Sequence, residues 1–428
     1  MDVLKKCLEG LKEKGAEKAE VNLTSTSKEE LNIHSGEISL LRSLEEYNLE
    51  MAALIDQKKD TIKINKIDDA SIQEAIEEVI ENARNSEADP ANDIPAGKVQ
   101  KHFEDRKTGA DIDKMHQSMK EFLGEVHDNY ANLIIEEAVL EHLDTSRYYE
   151  NSNGVSISSS NDLYYFGTMF FAKKGRKTSS FNHTDQTTRD LEKSLLDLGT
   201  LKYLMKESIE HLDPKGIKDN KFSGEVIVTP DCMNEVINFL LAHLANQYLI
   251  SGVSKFKDKF DQKVLDEKFT LRTEPDSKVL AAKEYFGRDG FIQRNDYVFQ
   301  NGVLKNYLLD YYGALKTGYE RGPTTGANLV IEAGNESFQE LLKSIERGII
   351  LARFSGGMPA PNGDFSGIAK NSYYVEGGEI KYPIKETMVS GNLFSMFENI
   401  RGISKERINN GQSLIPYIKF ENVVISSK

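Results

Sequence analysis

The chain has 428 residues, 39% of them hydrophobic and 29% charged, and a formal net charge of −14. This length allows two domains, or one large domain with a smaller one attached. The acidic excess argues against a large nucleic-acid-binding surface, because phosphate backbones bind basic surfaces. No apolar stretch approaches the roughly 20 residues of a membrane span, and the N-terminal residues lack the basic and apolar blocks of a secretory signal. We therefore expect a cytoplasmic protein without membrane or nucleic-acid partners.

Cysteine and histidine are too scattered to predict a local metal site. The two cysteines, Cys7 and Cys232, lie on different predicted helices, which fits neither a disulfide framework nor a metal knuckle. We expect both thiols to be buried as small hydrophobic groups. No two of the eight histidines are close neighbours in the sequence, so a zinc site would need ligands from distant elements. Phosphate-binding loops and nucleophile-elbow motifs are also absent from the sequence.

The first segment, residues 1–98, is predicted to form a small α/β unit. Apolar residues recur at helical spacing before Gly15, so a short amphipathic helix is expected to open the chain. Strands are predicted at residues 19–24, 30–34 and 47–55, and a polar turn leads from the last of them to a strand at 61–65. A second helix is predicted to start at Ser71, because Glu74 three residues later completes a capping box.

The middle segment, residues 99–213, is predicted to be a strand meander with flanking helices. The proline-containing stretch 85–101 is interpreted as a linker, and a helix is predicted at 111–126. Strands are predicted between residues 133 and 183, with turns at Asn153-Gly154 and Lys174-Gly175. Helical structure is predicted again at 190–212, and the polar stretch 213–220 is interpreted as a domain boundary.

The third segment, residues 221–428, is predicted to be a β-rich domain with one long buried helix. A strand at 225–228 leads into this helix, which Thr229 is expected to cap, with Pro230 as its first residue. The helix is predicted to end near Gly252. A helix near residues 337–348 and a short one near 392–400, capped by Asn392, interrupt the later strands. The whole chain is therefore predicted to have an α+β fold.

A glycine- and proline-containing stretch at residues 354–367 is the candidate peptide groove of this sequence. Glycine lets the backbone turn sharply or lie close against a ligand. The alternative is that these residues are turn and cap residues that serve only the fold. The groove candidates are Gly356, Gly357, Asn362, Gly363 and Asp364.

Short motifs follow one another in the C-terminal half in a recognisable order. They read Gly-Asp-Phe-Ser-Gly from Gly363, Glu-Gly-Gly-Glu-Ile from Glu376, Tyr-Pro-Ile from Tyr382, Ser-Gly-Asn-Leu from Ser390 and Asn-Ile from Asn399. This order and spacing resembles the TldD/PmbA family. The resemblance covers nearly the whole chain, strongly after about Gly224 and loosely at residues 100–130.

The resemblance implies where a metal site would lie and which of its residues are changed here. Active TldD-type members carry His-Glu-x-x-x-His and a later cysteine, and the glutamate would act as general base on a zinc-bound water. The corresponding positions in this chain are His243, Leu244, Tyr248 and Asn410. A leucine has no lone pair, and a phenol or an amide is a poor zinc ligand. We therefore expect neither catalytic nor metal-binding residues in this chain, and we interpret His243 as a histidine at the edge of the buried helix stripe rather than a residual metal ligand.

The resemblance then implies a PmbA-like, TldE-like subunit that is not itself catalytic. Such a chain would form a dimer with a TldD-like subunit that holds the zinc, and the dimer would degrade or trim unfolded peptides; a homodimer is also left open. Two other hypotheses remain. An active peptidase would need a site built from His183, Glu136, Glu137 and Asp310. A peptide- or protein-binding regulator is suggested by the family's label as a modulator of DNA gyrase.

Overall fold

The computed structural model describes residues 2–107, 109–218, 221–323, 328–385 and 387–427. They form a mixed α+β structure built on two large sheets, so the predicted fold class is confirmed. Within these residues no helix is both long and apolar enough to cross a membrane.

The N-terminal half forms an eight-stranded sheet with helices packed on it. Four long antiparallel strands make up its centre, in the order β2-β1-β5-β6. In chain order the elements are α1 Asp2–Glu13, β1 Lys18–His34, β2 Glu37–Ile55, β3 Lys58–Ile64, α2 Asp69–Asn85, β4 Gln100–Asp105, α3 Ile112–Asn129, β5 Leu133–Asn151, β6 Ser156–Lys174, β7 Lys177–Thr178, β8 Asn182–Thr188, a 3-10 turn Leu195–Asp197 and α4 Leu201–Glu210.

The first strand differs from its prediction. The stretches predicted at 19–24 and 30–34 are one continuous strand, β1, and the separation between them is wrong. The intervening residues 25–29 lack apolar alternation, but β2 pairs with them on one side and β5 on the other. Backbone hydrogen bonds on both edges therefore maintain the strand where side-chain pattern gives no signal.

Helices cover the apolar face of this sheet. Helix α1 buries Leu4, Cys7 and Leu11 against α2 and the strands, as its spacing predicts. The predicted start of α2 at Ser71 is wrong: the N-cap is Asp68, whose Oδ1 accepts a hydrogen bond from the Ser71 backbone N–H at 3.0 Å. An aspartate at this position satisfies a free N–H of the first turn as well as a serine does. The helix predicted at 190–212 is also shorter than expected, since only the 3-10 turn and α4 are helical.

The C-terminal half is a 13-stranded sheet with a large apolar core. Its central strand order is β12-β11-β10-β13-β21-β9-β14-β17-β18. The elements are β9 Lys221–Val228, α5 Pro230–Ala242, α6 Asn246–Ile250, β10 Leu271–Thr273, β11 Asp296–Gln300, β12 Val303–Leu304, α7 Tyr311–Thr317, β13 Leu329–Ile331, α8 Phe338–Lys343, β14 Arg347–Leu351, β15 Arg353–Gly356, β16 Asp364–Lys370, β17 Tyr373–Glu376, β18 Glu379–Pro383, β19 Thr387–Asn392, α9 Leu393–Glu398, β20 Gly402–Asn409 and β21 Ser413–Ser427.

The prediction of one uninterrupted helix up to Gly252 is wrong. Helix α5 ends at Ala242 and α6 begins at Asn246. Between them the Leu244 carbonyl accepts a hydrogen bond from the Leu308 backbone N–H at 2.9 Å, and Ala245 has an extended backbone. Pairing with another segment thus replaces the helical hydrogen bonds at this point. Helix α5 remains the buried helix of the domain, with Met233, Ile237 and Leu240 fully enclosed.

The two halves of the chain meet through polar contacts and through a small apolar cluster around Phe286. The Thr187 backbone N–H donates to the Asn410 carbonyl at 2.8 Å, and the Tyr373 hydroxyl donates to Glu210 at 2.6 Å. The predicted segments 1–98 and 99–213 both contribute strands to the first sheet, whereas the second begins with β9. The division of the chain into domains at these boundaries stays a prediction.

Candidate functional site

The resemblance places a metal site at His243, and this residue lies in the protein core. Its side chain is 0% exposed. The Lys255 backbone N–H donates to Nδ1 at 3.1 Å. Three aromatic rings lie against the imidazole, with centroid distances of 4.5 Å to Tyr248 and 4.9 Å to both Phe239 and Phe394. We expected His243 at the edge of the buried helix stripe. The structure instead places it inside a box of aromatic rings.

The imidazole of His243 is neutral at physiological pH. Burial lowers the pKa of His243 to about 4, since the cationic form would lose its hydration. Because Nδ1 accepts a hydrogen bond, the proton lies on Nε2. This nitrogen is buried and has no hydrogen-bond partner among the residues that the structure describes. The rings of Phe239 and Phe394, which lie against the imidazole, supply no further metal ligand.

The other positions of the family motif are occupied by groups that serve the fold. Leu244 is 0% exposed and belongs to the main apolar core. Tyr248 packs its ring on His243. Asn410 closes the turn between β20 and β21, where its Oδ1 accepts from the backbone N–H groups of Gln412 at 3.0 Å and Ser413 at 2.7 Å.

These positions do not provide a zinc donor set. The imidazole of His243 lies against Phe394, whereas Asn410 is hydrogen-bonded to Thr187 and Ser413. Tetrahedral zinc needs three or four converging nitrogen, sulfur or oxygen ligands. A single imidazole surrounded by rings and leucine does not meet this requirement. Across the described parts of the chain, no three histidine, cysteine, aspartate or glutamate side chains form a group able to hold a metal ion.

The groove candidates lie on an exposed loop beside the same aromatic box. The Asn392 side-chain amide donates to the Asn362 carbonyl at 2.9 Å and to Asp364 at 2.8 Å, and the Asn392 Oδ1 caps helix α9 by accepting from Ser395. The hydrogen bond from Asn392, and to a smaller extent the one from Asn362, holds the pKa of the Asp364 carboxyl below its usual range. Three polar side chains thus tie the loop to the start of α9.

The glycines of this loop differ in what they contact. A Cβ on Gly363, whose φ is +91°, would lie 2.6 Å from the Phe394 ring, and one on Gly356 would lie 2.7 Å from Phe354. A Cβ on Gly357 would meet nothing within 4 Å. Gly356 and Gly363 therefore allow close packing on rings, and Gly357 lies in open space. Phe394, which no sequence motif singled out, joins the loop to His243.

The four residues of the alternative peptidase hypothesis do not come together. Glu137 and His183 line one groove of about 560 Å³ on the N-terminal sheet. Asp310 lies on the C-terminal half, where it caps α7 by accepting from the Gly313 N–H at 2.8 Å. The Glu136 carbonyl accepts from Ser35, and its side chain does not line that groove. No catalytic cluster forms from these residues.

Sequence reasoning missed a group of partly buried carboxylates where helices α4 and α5 come near each other. Glu207 of α4 lies near Asp231 at the start of α5, and the Thr200 hydroxyl donates to Asp231 at 2.8 Å. Burial is the main cause that raises the pKa of Glu207 to about 8, and the negative charges of Asp231 and Glu210 contribute to the same shift. One of its oxygens, Oε2, is buried and has no hydrogen-bond partner in the described structure. Residues this far apart in sequence carry no local signal of their proximity.

Comparisons with known proteins agree with the motifs of the C-terminal half. The PmbA/TldA metallopeptidase C-terminal domain family matches residues 222–427. The metalloprotease PmbA of Escherichia coli O157:H7 is 23% identical over 431 residues, covering 94% of this chain and 91% of that protein. A metalloprotease PmbA homolog of Buchnera aphidicola is 27% identical over 286 residues, which cover 61% of this chain and 63% of that protein.

The fold is also shared with a solved structure. TldE from Thermococcus kodakarensis superposes with a TM-score of 0.83 at 18% identity, covering 99% of this chain and 100% of that one. At this identity the likeness concerns the fold alone. The domain match and the aligned relatives confirm the resemblance to the PmbA/TldD family that the sequence motifs indicated.

Proposed function

We propose that this chain is the non-catalytic, PmbA/TldE-like subunit of a metallopeptidase that degrades or trims unfolded peptides. The observation that carries the proposal is the aromatic box around His243, in which the positions of the family's base and second ligand are Leu244 and Tyr248. A peptidase of this type needs a metal-bound water and a general base. This chain has neither group at the position where its family places them.

The zinc would then belong to a TldD-like partner with an intact His-Glu-x-x-x-His motif. This chain would contribute surfaces that hold the extended substrate, with the loop of Gly356, Gly357, Asn362, Gly363 and Asp364 as its candidate contact. The loop supports this role because Met358 beside it is 86% exposed, while Asn392 fixes its base. Self-association is the alternative arrangement, and a cytoplasmic location remains a prediction of the sequence.

Mixing experiments test this proposal. The chain is combined with a TldD-like subunit from the same source, and hydrolysis of an unstructured peptide is measured for each component and for the mixture. We expect a stable complex by size-exclusion chromatography and a faster, chelator-sensitive hydrolysis in the mixture. A chain that neither associates with such a subunit nor changes its rate would contradict the proposal.

A variant of the partner provides the control. Replacing the motif glutamate of the TldD-like subunit by glutamine removes the general base without changing the fold around it. The complex should still form and its hydrolysis should be lost. Persisting hydrolysis would show that the reacting groups lie in the present chain.

A further inference from the structure

A cleft of about 610 Å³ lies between the two halves of the chain, away from His243. Its N-terminal wall includes Glu20 and Arg147, and its C-terminal wall includes Arg288, Asp289 and Tyr311. We call it the interdomain cleft. Its volume falls in the range of about 300–1,000 Å³ that is usual for small-molecule sites.

The segment that carries Arg288 is fixed against the N-terminal sheet. The Asn22 side chain donates to the Arg288 carbonyl at 2.9 Å, and the Tyr311 backbone N–H donates to Asp289 at 2.7 Å. Gly290 has a φ of +69°, and a Cβ there would lie 2.4 Å from the Tyr149 ring. The backbone position of Arg288 is therefore set by contacts from both halves.

The two arginines of the cleft have unused hydrogen-bonding capacity. Arg147 pairs with Glu284 at 3.7 Å, which is longer than a hydrogen bond. The side chain of Arg288 is exposed and has neither an ion pair nor a hydrogen bond within the described residues. Burial lowers the pKa of Arg147, Glu284 opposes this, and the positive charge of Arg288 lowers it further. Two cations thus face the same space without a full set of acceptors.

The carboxylates of the cleft are, by contrast, already engaged. Glu20 accepts from Lys59 at 2.6 Å and from the Tyr149 hydroxyl at 2.9 Å. Asp289 pairs with Arg321 at 2.5 Å. The remaining lining carboxylates also have partners: Glu50 with Lys63, Asp93 with Lys18, Asp310 with the Gly313 N–H and Glu284 with Arg147. The charged side chains of the cleft that remain available to a ligand are therefore cationic.

We propose that the interdomain cleft binds the C-terminal carboxylate of a short peptide between Arg147 and Arg288. Guanidinium groups bind planar carboxylates through paired, charge-assisted hydrogen bonds. Six carboxylates and three cationic side chains line the cleft, and this acidic excess disfavours a multiply charged anion such as phosphate more than a single carboxylate. A peptide carries one carboxylate at one end and an ammonium group at the other, which suits this mixed lining. The choice of a peptide rests on the proposed function, whereas the recognition of a carboxylate does not.

Calorimetric titration of the full chain tests the site. The probes are trialanine, trialanine amide and the amidated tripeptide Ala-Asp-Ala, which carries its only carboxylate on a side chain. We expect trialanine to bind at least about tenfold more tightly than either amide, because both amides lack the terminal carboxylate that would pair with the two arginines. Arg288→Ala and Arg147→Met should each reduce the affinity for trialanine about tenfold or more, and should bring it close to that of the amide.

Arg176→Ala is the matched control, since it removes one cation from the exposed turn between β6 and β7. It should leave the affinity for trialanine unchanged, and circular dichroism should show all three variants folded. Equal binding of trialanine and its amide, or equal effects of Arg288→Ala and Arg176→Ala, would overturn the proposal. Tight binding of amidated Ala-Asp-Ala would overturn the terminal-carboxylate assignment. Hydrolysis is not measured here, so failure of this site is distinguishable from failure of the proposed partnership.

Discussion

The surroundings of His243 and the interdomain cleft show two opposite environments in one chain. Around His243 the neighbours are aromatic rings and leucine, and the single buried imidazole is kept neutral. The interdomain cleft is lined by charges of both signs, with Arg288 open to solvent. Chemistry needs polar groups that converge and remain accessible. The position to which the resemblance assigns a metal has neither property here, whereas the surface between the two halves has both.

The largest effect is expected from a substitution in the aromatic box around His243. Phe394→Ala removes a ring that is 3% exposed and lies within 5.6 Å of the Phe239 and Phe256 ring centroids. We expect a loss of about 3–5 kcal/mol in the free energy of unfolding, the usual cost of a buried Phe→Ala cavity. Urea denaturation measures it. Tyr203→Ala, at a side chain that is 64% exposed, should change stability far less, and similar losses for both would argue against the aromatic box.

The second prediction concerns the charge of Glu207 at the interface of the two halves. Its pKa is raised from an ordinary value of 4.5 to about 8. Its stabilising contribution is therefore complete below pH 4.5 and is lost as the pH rises through 8. Between pH 6 and 8 we expect wild-type stability to fall by about 2 kcal/mol more than that of Glu207→Gln, whose side chain cannot ionise.

Unfolding curves across this pH range provide the measurement. Glu13→Gln, at an exposed position on α1, is the matched control and should follow the wild-type slope. A Glu207→Gln variant with the wild-type slope would show that another group titrates at the interface.

A smaller effect is expected from a substitution beside the interdomain cleft. Gly290→Ala places a Cβ 2.4 Å from the buried Tyr149 ring, at a backbone φ of +69° that alanine rarely adopts. We expect a loss of about 1–2 kcal/mol in stability. Tripeptide affinity should fall with it, because the segment of Arg288 must shift. Gly97→Ala is the matched control. Its φ is +125° and no atom lies within 4 Å of the added Cβ, so this variant shows the effect of backbone strain without a steric clash.

The smallest effect is expected for an exposed ion pair between the halves. Lys316 lies 2.6 Å from Asp89, and both side chains reach solvent. Water and salt screen such pairs, so Lys316→Ala should leave the melting temperature nearly unchanged. Differential scanning fluorimetry at low and high salt checks this. A large, salt-dependent drop would show that this contact, and not the buried interface, holds the two halves together.

Local sequence signals predicted local structure well. Asn392 caps α9 as expected, and the Gly-Gly pair of the motif at Glu376 forms a tight turn between β17 and β18, with φ values of +58° and +75°. Both features depend on a few adjacent residues. The resemblance assigned His243, Leu244 and Tyr248 to one long helix, but this helix is broken between α5 and α6, where the Leu244 carbonyl pairs with Leu308.

Features formed by distant residues could not be predicted in this way. The interdomain cleft brings together Glu20, Arg147 and Arg288, and no periodicity or motif links these positions. The polar centre of β1 shows the same limitation, since its strand conformation depends on β2 and β5. The residues that could bind a ligand in this chain belong mostly to this class.

Hydrolysis of an unstructured peptide by the purified chain alone, with and without a metal chelator, tests the central claim most directly. We predict no cleavage above the background rate in either condition, because the positions of the base and the second ligand are Leu244 and Tyr248. Chelator-sensitive cleavage by the chain alone would contradict the account, since it would require a metal site built from residues that serve only the fold in our description.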